Sequence, residues 1–349
     1  MDDLQALIEA VRAERAPDPR TAVFEVRHEA RPGGIALVGA TTEAAAAEEL
    51  LARAALLLEG WTLLDEIVRL PDPELGKIRF GIVRAALAPV HAEPRVTAVQ
   101  VSQYVLGQRV DLLSRSEAWW RVRGEDGYIG WVHRGYLETG DADWVGAWER
   151  GGGGEPLVSL GAELVDETGD VLARLPWGAR VIRDPASGRL RLPDGRTGVP
   201  GAGELVPEDS LAERFPPHGE SVVCTARRWL GTPYVWGGVT PAGADCSGFV
   251  QSVYRLHGLA LPRDSDLQAR VGKEVEAQGD LAALRPGDLL FFSERPGRIT
   301  HVAISLGGSR IIHSALSNGG VRINDLAGDL EAEARLRPLF VHARRVLPD

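Results

Sequence analysis

The stretch Gly231–Gly258, GTPYVWGGVTPAGADCSGFVQSVYRLHG, decides how the last third of this chain is read. A loop rich in Gly and Pro ends at Asp245, and an apolar-periodic run begins at Cys246. Asp is a favoured helix N-cap, so the pattern predicts a helix whose first residue is Cys246. A thiol at that place meets unpaired N–H groups and the positive end of the helix dipole. Such a setting is expected to hold its pKa below the usual ~8.5. The second cysteine, Cys224 in SVVCTARR, lacks these features and is expected to be a small core residue.

A nucleophilic cysteine needs a base, and the base needs an orienting partner. The stretch ITHVAISLGGSRIIHSAL places His301 and His313 on consecutive predicted strands, and a hairpin at LGGS brings them side by side. A lone histidine is more often a satisfied core residue than a catalyst. Two on adjacent strands, downstream of an N-capped cysteine, favour chemistry. The other six histidines are scattered over loops, ends and other domains.

Composition narrows the functions further. A chain of 349 residues is long enough for two or three domains. The net charge of −10, with no run of Lys or Arg, argues against nucleic acid and against docking on anionic lipid or cell wall. Two cysteines without metal-ligand spacing make neither a disulfide framework nor a metal site, and they fit a reducing compartment. The start, MDDLQALIEAVRAERAPDP, is acidic and amphipathic rather than a signal peptide, and no apolar run reaches membrane-spanning length. A soluble, cytoplasmic protein with no membrane partner, cofactor or metal is expected.

Four segments differ in texture. Residues 1–80 read as αββαβ, a small α+β domain, with Thr42 capping the helix TEAAAAEELLARAALLLEG. Residues 85–140 turn to short strands and tight turns that end in EDGYIGWV. Residues 150–210 repeat that pattern weakly, VLGQRV answering to LPWGARV and EDGYIGWV to PDGRTGVP. Short strands closed by DG turns suggest two small β-barrels, joined by a linker at WERGGGGEP. Both resemble bacterial SH3-like domains, the second having lost its aromatics. Residues 219–349 put helices before an apolar, antiparallel sheet, an α+β arrangement.

The last segment closely resembles the NlpC-type cysteine peptidases, papain-like enzymes that cut peptidoglycan peptides. Four phrases carry the likeness in order: YVWGG…DCSGFV, LRPGDLLFF, THVAI and IIHS. The resemblance implies Cys246 as nucleophile, His301 as base, His313 as its orienting group and Tyr234 as a donor to the oxyanion, with Trp236 in the pocket wall. The recycling-type members, which also join two SH3-like domains to the peptidase, are γ-D-glutamyl-L-diamino acid endopeptidases releasing L-Ala-D-Glu from peptides with a free N-terminal L-Ala. That likeness implies a muropeptide substrate whose ammonium is held by Asp264 of PRDS, Tyr128 and Glu93. It puts Ser265 beside Asp264, and Ser247 in position to reach a substrate carboxylate. Competing readings are a papain-like amidase or acyltransferase, a non-catalytic wall-binding protein, and a secreted hydrolase of intact peptidoglycan.

Overall fold

The computed structural model describes residues 2–277 and 281–348. The N-terminal unit runs helix (Asp2–Arg15), strand (Phe24–Arg31), strand (Gly34–Thr41), helix (Ala44–Leu57), strand (Thr62–Arg69). The first two strands pair antiparallel, and the third lies parallel to the second. Leu4, Ile8 and Val11 recur at helical spacing and bury against Leu37 and Leu50. Thr42 does not cap the second helix, whose N-cap is Glu43. Its hydroxyl instead accepts the Val23 N–H at 2.9 Å, so strand pairing has taken the group that the cap was expected to use.

The next seven strands, from Phe80 to Gly140, form one antiparallel sheet around Val90, Val110, Leu112 and Val132. A second sheet spans residues 155–207, and its two eleven-residue strands pair with each other to close a small barrel. The expected linker is not a loose tether. Asp141 accepts the Trp144 N–H and starts a helix, Ala142–Glu149. Val145 and Trp148 of that helix pack between Ile82 of the first barrel and Ile182 of the second, and the Trp148 indole donates to Gly107 O.

The C-terminal unit sets the helix Cys246–Leu256 against a six-stranded antiparallel sheet. Strand 340–345 lies between 273–275 and 289–292, followed in order by 301–307, 310–315 and 320–325. Phe249, Val250, Val253 and Tyr254 are fully buried against Phe291, Val302, Ile304 and Ile312. At about 25 cal/mol per Å² of apolar surface, such side chains each contribute roughly 1.5–3 kcal/mol. Cys224 does not join this core. It faces solvent on the helix Gly219–Arg227, whose other side carries the buried Val222, Val223 and Ala226.

Both barrels pack on this unit. Trp177 of the second meets Trp229 edge to face. The first touches the Cys246 helix, Asp126 accepting from the Gln251 amide at 2.9 Å, and the loop before it, Gln100 donating to Trp236 O at 2.9 Å. Among the described residues no helix is long and apolar enough to cross a membrane.

Candidate active site

Asp245 caps the Cys246 helix by accepting the Gly248 N–H at 2.7 Å, while its second oxygen accepts Gly237 N–H at 2.8 Å. Arg263, fully buried, grips the same carboxylate with both terminal nitrogens, at 3.0 and 2.6 Å. Its remaining donors reach Ser247 Oγ and Ser102 Oγ of the first barrel. Two desolvated charges are tolerated there because each is paired and hydrogen-bonded. Ser247 is therefore locked beneath the helix end, 5% exposed, rather than turned toward a substrate carboxylate.

Cys246 lies buried at the first helical position, its sulfur facing the Val302 N–H next to His301. The expected low pKa is corrected here. Burial, with the Asp245 charge second, pushes the thiol up to about 12, and the N–H groups of Val302 and Ser247 only partly oppose that. Burial likewise drives His301 well below the usual histidine range, with His313 beside it adding to the effect. Both shifts favour the uncharged forms, a neutral thiol beside a neutral imidazole.

Hydrogen bonds assign the tautomers. His313 Nε2 sits 2.9 Å from Asn324 Oδ1, an oxygen that only accepts, and 3.1 Å from Asn318 Nδ2, a donor whose shorter bond of 2.8 Å goes to that same oxygen; the proton is therefore assigned to Nε2. His313 Nδ1 is then an acceptor, 2.7 Å from His301 Nε2, which donates to it. His301 Nδ1 is left as a free lone pair. Asn324 is oriented in turn, its amide nitrogen facing Glu333 Oε1 at 3.5 Å and its oxygen receiving Asn318 Nδ2 at 2.8 Å. Tyr234 is half-buried close enough to Cys246 that burial, then the thiolate charge, would raise its pKa; its hydroxyl stays protonated. Trp236 is 63% exposed on the loop above, and Ser265 is buried at the start of a short helix.

The substrate-binding set is divided. Tyr128 is buried, and Asp264 faces its hydroxyl across the domain boundary. Asp264 occupies an N-cap position yet makes no capping bond, which leaves its carboxylate for other partners. Glu93 does not join them. It is exposed and pairs at 2.9 Å with Arg95, two residues on, so its charge is satisfied locally. The cation that meets Asp264 is Arg20 of the N-terminal unit, at 2.8 Å. Sequence reasoning did not single out Arg20, Arg263, Asn324 or Glu333.

Residues 231–338 match the NlpC/P60 family, and residues 86–138 match the bacterial SH3 domain. The chain is 31% identical over 250 residues to dipeptidyl-peptidase 6 of Lysinibacillus sphaericus, covering 65% of this chain and 84% of that one. The chain belongs to the NlpC/P60 family. Another relative, the γ-D-glutamyl-L-lysine dipeptidyl-peptidase of Bacillus cereus, is 29% identical over 232 residues. That match covers 59% of this chain and 64% of the relative, so it spans a little under two thirds of the relative's length. The solved structure of an NlpC/P60 protein from Bacillus cereus superposes with a TM-score of 0.63 at 23% identity, over 77% of this chain and all of that one. This likeness supports the papain-like and SH3-like folds.

Proposed function

We propose that this NlpC/P60 chain is a cysteine peptidase that cuts the γ-D-glutamyl–L-diamino acid bond of peptidoglycan-derived peptides with a free N-terminal L-Ala. The observation that carries the reading is the ordered chain Asn324–His313–His301, which leaves one histidine lone pair beside the residue whose N–H meets the Cys246 sulfur.

The chemistry follows from the neutral resting pair. As the sulfur attacks the γ-carbonyl carbon of D-Glu, its proton passes to His301 Nδ1, so charge separates only when the C–S bond forms. The oxyanion is stabilised by the Cys246 N–H and the Tyr234 hydroxyl. Collapse of the adduct breaks the C–N bond, and His301 returns its proton to the leaving amine. Water then attacks the thioester, giving up a proton to His301, and L-Ala-D-Glu leaves with the thiol restored. His313, held by Asn324, keeps the ring in the required tautomer throughout.

Tyr128 and Asp264 support recognition of the amine, because a phenol and a carboxylate together satisfy an ammonium in a slot shielded from water. Such a site favours peptides already freed from the glycan, which suits recycling of wall fragments in the cytoplasm. The test is mass spectrometry of the products from L-Ala-γ-D-Glu-L-Lys, its diaminopimelate counterpart, the N-acetylated forms and intact peptidoglycan. Release of L-Ala-D-Glu from the free-amine peptides, lost in Cys246→Ala, is expected. Comparable cleavage of capped peptides and of peptidoglycan would point to a secreted wall hydrolase instead.

A further inference from the structure

Arg20 lies in the loop between the first helix and first strand of the N-terminal unit. Every N–H of its guanidinium is engaged. Nε donates to Asp18 at 2.9 Å, one terminal nitrogen to Asp264 at 2.8 Å and Asp266 at 2.7 Å, the other to Asp18 at 2.6 Å and Asp266 at 2.7 Å. Its main-chain oxygen accepts the Ile129 N–H at 2.7 Å, one residue beyond Tyr128. A single residue thus joins the N-terminal unit to the first barrel through its backbone and to the peptidase unit through its side chain. Val23, Leu70, Leu113 and Ile129 bury together around this junction, which keeps the backbone of the loop in place.

We propose that Arg20 is a specificity-determining positioning residue, holding Asp264 in the orientation that, with Tyr128, receives the substrate amine, and that the N-terminal unit thereby forms the closed end of the cleft. The inference rests on the amine recognition proposed above. A guanidinium with five satisfied donors is part of the wall, not a plug that a substrate must displace. Its bond to Asp264 goes to Oδ2 alone, so in this proposal Oδ1, on the carboxylate that also faces the Tyr128 hydroxyl, receives the incoming cation. The groups facing Asp264 are Arg20, Asp266, Arg263 and Tyr128, and Arg263 is already committed to Asp245. Burial nonetheless raises the Asp264 pKa, and Arg20 is one of the two cations that oppose this. Without Arg20 the carboxylate would protonate at higher pH and lose its fixed direction.

The experiment compares kcat and KM for L-Ala-γ-D-Glu-L-Lys and its N-acetylated form in the wild type, Arg20→Gln and Arg20→Lys, from pH 5 to 8. In Arg20→Gln the preference for the free amine should fall roughly tenfold or more, the loss of a hydrogen bond to a charged group. The fall should appear in KM, and the acid-side rise of KM should move to higher pH. Arg20→Lys, which keeps the charge but has three donors, should recover part of both effects. It also carries the test if the glutamine variant fails to fold. An unchanged preference in both variants, or a lower KM for the free amine, would overturn the proposal, the latter making Arg20 a competitor for the seat. A wild type that does not prefer the free amine would instead defeat the proposed substrate, whatever the variants do.

Discussion

His313 Nε2 and Asn324 Oδ1 lie 2.9 Å apart, and that contact determines which nitrogen of His301 remains a base. Asn324 sits two residues beyond Arg322, the strand partner of His313, so it lies on the same face of the next strand. Removing the base should cost more than loosening its support. His301→Ala is expected to lower kcat to near background, while His313→Gln and Asn324→Leu should retain intermediate activity. Steady-state kinetics of the three variants checks this order, and equal, complete loss in all of them would contradict it.

The buried thiol implies a second outcome. Cys246 is pushed up to about 12, so it is protonated near neutrality, whereas Cys224 is exposed. Iodoacetamide should therefore modify Cys224 first at pH 7, with Cys246 labelling rising only toward alkaline pH. Cys246→Ala should be inactive and Cys224→Ala active. Peptide mapping of the alkylated protein over pH 6–10 reads the result, and fast labelling of Cys246 at pH 6 would refute the neutral pair.

Acid should destabilise the fold earlier than its carboxylates alone would predict. His301, His313 and His257 all have pKa values lowered, in each case chiefly by burial. A depressed folded-state value contributes stability above the unfolded pKa of ~6.5, and this is lost as pH falls through the folded value. Thermal unfolding should thus show Tm dropping as pH falls below about 6.5. Gln at any of the three positions should flatten that slope, and an unchanged slope would exclude these groups as its source.

The two barrels should differ in their effect on turnover. Tyr128 is buried with Asp264 opposite its hydroxyl, while Arg196 of the second barrel is bonded to the neighbouring Asp194. Tyr128→Phe should lower kcat/KM by roughly 1.5–3 kcal/mol, the worth of a hydrogen bond to a charged group. Arg196→Ala should leave it unchanged. Kinetics with the free-amine peptide distinguishes the two variants.

What was legible in the sequence was local. Asp245 and Cys246 are adjacent, and a hairpin of eleven intervening residues brings His301 to His313, so capping rules and strand alternation were enough to find them. The thiol's pKa was misread because the helix end was visible and what covers it was not. Arg20 and Asp264 are 244 residues apart and meet only where three units dock, and no local pattern encodes that. Glu93 carried a nearer clue, since Arg95 two residues away offered its charge a partner without any long-range contact.

Trp148 and Val145, wedged between Ile82 and Ile182, bear on how the chain comes apart. Barrels on a slack tether would melt one at a time, each at its own temperature. Here the connecting helix is itself core for both, and the buried Arg263 crosses from the peptidase unit to Ser102 of the first barrel. Neither neighbour can open without stripping apolar surface from the other, so the unit of cooperative melting is larger than any one domain.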